Sequence, residues 1–277
     1  MLKADGTVRS SGGTVTDQRG DADHGPELTV EVGDDHVATI EFSRPPSNFF
    51  SVSLIRQIAE ACEGLAADPR CRAVVLCSAG RVFCAGADFD AAHPVRATDG
   101  THLYDQAIRL FEQPLPVIAA VQGAAIGGGL GLALAADFRV AAPEARFAAN
   151  FALLGFHHGF ALTVTLPAAI GRQAALDLLY TGRRVTGEEA LRLGLADQLT
   201  EPGQARAGAH ALAGQIAASA PLAVRSIRAT MRAELADQAR AAMARERAEQ
   251  DRLMQTSDWK EGVAAVLQRR PAQFTGS

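Results

Sequence analysis

The sequence predicts an α/β fold, a parallel-rich sheet covered by helices on both faces. Short apolar, β-branched runs alternate with segments of helical period through the first half of the chain. A glycine run, Gly127-Gly128-Gly129, stands where one of those runs hands over to a helix-forming segment. Beyond Thr165 the residues are largely helix formers. Strands separated by helices pair in parallel, and burial on both faces makes them read as continuous hydrophobic runs.

Met1 to about Pro26 is rich in Gly, Ser, Thr and Asp, and is expected to form a disordered tail. Residues 28–32 and 37–42 alternate apolar and polar side chains around Gly33-Asp34-Asp35, a hairpin signature. Pro45-Pro46-Ser47-Asn48 breaks that pattern, and a helix follows over 54–65, ending near Asp68-Pro69. Residues 73–77 form a short apolar run read as a buried strand, and 78–88 a loop with two glycines. A helix over 103–112 leads to a strand over 117–121, then to the glycine run and its helix. Another strand is expected at 138–141, with an extended piece at 146–148. Residues 187–195 read as a helix ended by a glycine, and 205–219 and 222–255 as long helical stretches. The expected organisation is a tail over 1–26, an α/β core over 27–200 and a helical region over 201–277, packing on the core or on a neighbouring subunit.

With 277 residues, 48% of them hydrophobic, the chain can bury a large core. Its net charge of −4 argues against general nucleic-acid binding. Arg183-Arg184 and Arg269-Arg270 are local basic pairs, for which solvated surface charge is the common explanation. Cys62, Cys71, Cys77 and Cys84 form no CxxC pair, which suits free thiols better than disulfides or a zinc site. No apolar segment is long enough to span a bilayer and no secretory signal is evident, so a cytoplasmic location is expected, with no membrane partner.

The glycine run carries the chemistry. The first N–H groups of a helix have no internal partner, and the helix dipole stands behind them. Glycine lets a ligand approach closely because no Cβ intervenes. Such a junction holds negative charge, either on a phosphate or on an oxygen that becomes anionic during reaction.

Several fragments together resemble the crotonase (enoyl-CoA hydratase/isomerase) superfamily. They are Phe83-Cys84-Ala85-Gly86-Ala87-Asp88-Phe89, the strand over 117–121 with its glycines, Asp137-Phe138-Arg139-Val140-Ala141, Gly171-Arg172, the stretches over 180–185 and 189–195, and the terminal Arg270-Pro271-Ala272-Gln273-Phe274. They run in the family's order over roughly 28–276. The resemblance implies a crotonase-like core of repeated ββα units with a C-terminal helical layer, and a homotrimer or dimer of trimers. It also implies an acyl-CoA substrate, with coenzyme A entering as part of the substrate and no permanently bound cofactor. Two backbone N–H groups would grip the thioester oxygen, those of Ala87 and Gly128. The CoA portion would lie along Arg44, Pro46 and Asn48, along the loop of Ala85, Ala87, Asp88 and Phe89, and against Gly127 and Gly128, with Arg270 near the phosphates. The segment Arg44-Pro45-Pro46-Ser47-Asn48 is one residue shorter than the family's form.

The chain departs from the family where the chemistry is done. Hydratases of this family use two glutamates, and the corresponding positions here are Gly131 and Phe151. Neither can accept a proton, so two-carboxylate hydration has no agent at these positions, and a single-carboxylate isomerase using the second is disfavoured. The aspartate of the family's hydrolases and dehalogenases corresponds to Gly159, and the tyrosine of its malonyl-type decarboxylases to His158. Histidine as a residue type changes charge near neutral pH, which makes His157 and His158 candidate acids or bases. Adjacent side chains on extended backbone face opposite ways, so at most one acts, and His158 has the decarboxylase register. The segment 90–105, with His93, Asp99, His102, Tyr104 and Asp105, reads chiefly as solvated loop; Asp88 reads as loop fixation and Cys84 as packing. The expected activity is an enolate-forming lyase or isomerase step. Decarboxylation or hydrolysis through His158, and acyl-CoA binding without catalysis, are the alternatives.

Overall fold

The computed structural model describes residues 27–88 and 95–277. The expected tail therefore lies outside the described residues, as do Phe89, Asp90 and His93. The first unit is the hairpin β1 (Leu28–Val32) and β2 (Val37–Phe42), followed by α1 (Val52–Ala67), β3 (Ala73–Ser78) and α2 (Leu103–Glu112). Next come β4 (Val117–Val121), β5 (Ala124–Ile126), α3 (Gly128–Ala135), β6 (Phe138–Ala141), β7 (Arg146–Ala148) and a 3-10 turn, Asn150–Leu154. Then follow α4 (Leu162–Ile170), α5 (Arg172–Thr181), β8 (Val185–Thr186), α6 (Gly187–Leu193) and β9 (Gln198–Leu199). The C-terminal layer is α7 (Ala205–Ala217), α8 (Pro221–Met231), α9 (Leu235–Leu253) and α10 (Ser257–Leu267).

Two sheets arise because β4 and β6 each continue, after a bend, into a strand of the second sheet. The larger runs β1-β2-β3-β4-β6-β9, parallel throughout except for the opening hairpin. The smaller runs β5-β7-β8, and bridges of Cys84 to Ala125 and Phe50 to Ala87 extend it toward the preceding loops. This is the crotonase-like mixed α/β architecture that the resemblance implies. The short strands β5 and β8 escape sequence reading because three and two residues are too few to show a period.

Every residue of β3 and β4 is buried, as central parallel strands require. Alternate side chains serve two cores. Val74 and Leu76 face α1 and α2, whereas Val75 and Cys77 meet Ala209, Ala213 and Ala217 of α7. The alanine spacing of four presents one smooth helical stripe, so α7 lies close on the sheet. Further along, Asp137 fixes the helical layer. It accepts from the Val117 N–H at 2.8 Å, and pairs with Arg228 at 2.9 Å and Arg232 at 2.5 Å, all largely buried. The helical stretch read over 222–255 forms two helices, with a break at 232–234 where Arg232 turns inward to this carboxylate.

A second clamp ties α9 to α4. Phe160 and Ala161 both have φ +60, a left-handed conformation unusual for residues with a Cβ. Glu246, fully buried on α9, accepts from the Ala161 N–H at 2.9 Å, the Thr163 N–H at 3.0 Å and the Thr163 hydroxyl at 2.7 Å. The carboxylate thus caps α4, which has no side-chain cap of its own. Burial pushes the Glu246 carboxyl pKa up, and those three donors pull it back. His158 Nε2 donates to the Thr163 hydroxyl at 2.9 Å, and its ring stacks on His157 at 4.2 Å. Burial, and then the charge of His157, push the His158 pKa down to about 4. Glu246 lies 3.9 Å away with its oxygens already hydrogen-bonded, and its attraction does not offset the burial.

Below its unfolded pKa near 6.5, unfolded His158 takes up a proton that the folded protein refuses down to about pH 4. The His158 contribution to stability therefore falls by about 3 kcal/mol across that window and is constant below it. Denaturant melts from pH 7 to 4 will show a shallower fall for His158→Gln than for the parent chain.

Candidate active site

The site forms where the N-terminus of α3 meets the loop after β3. Gly127 turns the chain with φ +57, and its carbonyl accepts from Leu130 and Gly131, starting the helix. The bare backbone here is a packing requirement. A Cβ on Gly129 would lie 2.0 Å from the Cys84 carbonyl oxygen, and one on Gly128 would lie 2.3 Å from the Phe50 ring. On the facing loop Gly86 has φ +89, and a Cβ there would lie 3.4 Å from the Gly128 nitrogen. Two main-chain segments thus approach to within contact, and Ala87 and Gly128 line one cavity. Among the described residues neither of their N–H groups has an acceptor.

That cavity has a volume of about 50 Å³, room for a few water-sized groups. Its wall is largely hydrocarbon, with Phe50, Val95, Leu103, Phe151, Leu154, Phe156 and Phe160 beside the glycine backbone. Trp259 of α10 packs on Phe156 at 4.4 Å and holds that wall from behind. Three polar side chains reach the cavity: Tyr104, Gln250 and Asn150. The Tyr104 hydroxyl donates to Gln250 Oε1 at 2.9 Å, and Gln250 Nε2 donates to the His157 carbonyl at 3.0 Å. Burial pushes the Tyr104 phenol above its ordinary value, so it stays protonated.

The three positions where relatives of the resemblance would carry a carboxylate are physically filled. A Cβ on Gly131 would lie 2.4 Å from the Phe160 Cβ. Phe151 itself lines the cavity. A Cβ on Gly159 would lie 1.8 Å from the Tyr104 hydroxyl and 2.5 Å from Gln250 Nε2. Phe160, Phe151, Tyr104 and Gln250 have taken the volume that longer side chains at these positions would need.

Other expected site residues distribute differently. Ala85 and Gly127 line the cavity with Ala87 and Gly128. His157 and His158 do not, which corrects the expectation that one of them faces the reacting carbon. The His157 ring bonds the His158 carbonyl at 2.8 Å and the His158 ring turns to Thr163, because capping α4 draws this segment toward α9. Asn48 is buried, accepting from the Arg44 N–H and donating to the carbonyls of Ala79 and Val82; it fastens the loop and has no donor left for a ligand. Pro46 follows a cis peptide bond in the same turn. Arg44 pairs with Glu27 at 3.0 Å and donates to the Phe49 carbonyl. Asp88 ends the described part of its loop. Arg270 is joined to Glu261, whose carboxyl it holds down at about 2, and lies in a separate cleft of the C-terminal segment. Cys84 is fully buried, its thiol pushed up to about 12, and is a packing residue.

Two residues of the presumed solvated segment are instead structural. His102 is buried and caps α2, its Nδ1 accepting from the Tyr104 N–H while Asp105 accepts from the His102 N–H. Tyr104 is buried in the cavity wall. The helical period of α2 points Tyr104 inward, a signal available in the sequence. Asn150, by contrast, carried no motif to mark it.

Gly131→Ala will lower stability by about 1–3 kcal/mol through overpacking against Phe160, measured by chemical denaturation. Phe160→Leu in the same chain will recover part of that loss, a coupling that a surface effect would not show.

The family model for enoyl-CoA hydratase/isomerase matches residues 33–277. A crotonyl-CoA hydratase of Syntrophomonas wolfei is 32% identical over 247 residues, covering 87% of this chain and 95% of its own. An enoyl-CoA hydratase/isomerase from Pseudoalteromonas atlantica superposes with TM-score 0.82 at 29% identity, over 90% of this chain and all of its own. A carnitinyl-CoA hydratase from Mycobacterium avium superposes with TM-score 0.80 at 29% identity, over 91% of this chain and 99% of its own. A match of this extent, on this fold and with this glycine junction, has one reading: the chain belongs to the enoyl-CoA hydratase/isomerase family.

Proposed function

We propose that this chain binds a short acyl-CoA and stabilises negative charge on the thioester oxygen through the N–H groups of Ala87 and Gly128, in a lyase- or isomerase-type step beside the carbonyl. The observation that carries the proposal is that Ala87 and Gly128, whose N–H groups have no acceptor among the described residues, line one largely apolar cavity. Donors fixed in place before reaction need no reorganisation, and each contributes about 3–4 kcal/mol of transition-state stabilisation. The helix dipole behind Gly128 acts in the same direction. Coenzyme A enters with the substrate, and the small cavity suits a short acyl group.

Hydration by two carboxylates is not the reaction proposed. Phe160 and Phe151 occupy the space those groups would need, and no described residue of the cavity wall is a base at neutral pH. This last point favours decarboxylation as the second reading, now without His158. Loss of CO2 from a malonyl-type thioester sends the electrons of the breaking C–C bond to the thioester oxygen. Such a step needs the two N–H donors and no base; the resulting enolate is then protonated by water.

The test is turnover of a panel of enoyl-, 3-oxoacyl- and malonyl-type CoA thioesters, followed by mass spectrometry. Crotonyl-CoA will bind with its hydration at the level of the uncatalysed control, and another thioester will turn over. Rapid crotonyl-CoA hydration would overturn the reading of Gly131 and Phe151. Binding with no turnover across the panel would favour a non-catalytic acyl-CoA-binding role.

A homotrimer or dimer of trimers is proposed as the assembly. In the single chain α8 turns Arg228 inward to Asp137 and leaves its apolar side chains outside, with Leu222, Ile227 and Met231 80%, 63% and 79% exposed. An apolar face of this kind marks an association surface. Light scattering will give about three or six times the mass of one chain, and Ile227→Glu with Met231→Glu will shift the distribution toward smaller species; a monomeric parent chain would refute the assembly.

A further inference from the structure

Asn150 opens the 3-10 turn and lines the cavity, with its amide oxygen beside Gly127. Its Oδ1 would lie 3.3 Å from a Cβ on Gly127, the residue preceding the Gly128 donor. Tyr104 and Gln250 already use each other and the His157 carbonyl. The Asn150 carboxamide has no hydrogen-bond partner among the described residues, and the wall around it is aromatic and aliphatic. A carboxamide offers both donors and an acceptor, and carries no charge. Closing an alkyl chain over it would leave those groups unpaired away from water, which is unfavourable. An acyl group with its own oxygen near the thioester would satisfy them.

Resting on the acyl-CoA reading of this cavity, we propose that Asn150 is a specificity-determining residue that selects short acyl-CoAs bearing an oxygen at the β-carbon, 3-hydroxyacyl or 3-oxoacyl groups, over unsubstituted ones. The amide sits beside Gly127, one residue before the proposed Gly128 donor, so a thioester oxygen held at Gly128 brings the first carbons of the acyl chain past Asn150. A neutral amide orients such an oxygen without exchanging a proton with it, in keeping with a wall that holds no carboxylate.

Calorimetric titration of the full chain with 3-hydroxybutyryl-CoA (each enantiomer), acetoacetyl-CoA and butyryl-CoA tests this. The parent chain will bind the better hydroxyl enantiomer and the oxo ligand about tenfold more tightly than butyryl-CoA, the discrimination of about one hydrogen bond. Asn150→Leu, close in shape, will lose that preference while keeping its affinity for butyryl-CoA. Equal binding of all ligands by the parent chain, or an unchanged preference in Asn150→Leu, would overturn the role of Asn150 and leave the acyl-CoA reading standing. Failure of every CoA thioester to bind the parent chain would overturn both. Should Asn150→Leu not fold, as judged by circular dichroism, Asn150→Ala reads the same ratio.

Discussion

The close approach of two stretches of bare backbone is the constraint on which the rest of the structure depends. Gly129 lies against the Cys84 carbonyl and Gly86 against the Ile126 carbonyl, where a Cβ would come to 2.0 Å and 2.9 Å of the oxygen. This approach brings Ala87, on a loop, and Gly128, at the start of α3, into the wall of one cavity. The larger sheet supplies the rigidity. Strand β4 is buried throughout, paired on both sides, and delivers the chain to the glycine junction through β5. Side chains play little part in forming this junction; their absence permits it.

The cavity wall is built by a different device. Phe160 sits in a left-handed backbone conformation beside Gly131, and Glu246 holds the following N–H from a helix more than eighty residues later in the chain. The strained turn, the cap on α4 and the placement of α9 are thus one arrangement. Such strain persists where surrounding contacts over-determine it. It places Phe160 where any side chain at position 131 would have to go, so Gly131 and the aromatic residue at 160 belong together. The same holds for Gly159, whose missing side chain is the space used by the Tyr104–Gln250 pair.

The histidine pair shows how sequence position and chemical role come apart. His157 and His158 lie within three residues of Phe156, Gly159 and Phe160 of the cavity wall, and neither reaches the cavity. The helix cap at Ala161 and Thr163 draws this segment toward α9, and burial keeps the His158 imidazole neutral. Asn150 shows the converse. It sits inconspicuously in Ala149-Asn150-Phe151, and the 3-10 turn directs its amide inward beside Gly127.

The sequence by itself determined the alternation of strands and helices, the helix boundaries of α2 and α6, and the glycine junction. Each of these is a local matter of period, capping or the lack of a Cβ. It also determined that Gly131, Phe151 and Gly159 carry no carboxylate, because residue identity alone decides that. The tertiary structure decided which polar groups share the cavity, since that depends on contacts between α2, α9 and the 3-10 turn, segments far apart in the chain. A helical period can place Tyr104 on an inner face, but only packing against α9 gives it Gln250 as partner. Nothing local distinguishes a histidine that meets a ligand from one that braces a helix cap, because the difference lies in what the rest of the chain puts beside it.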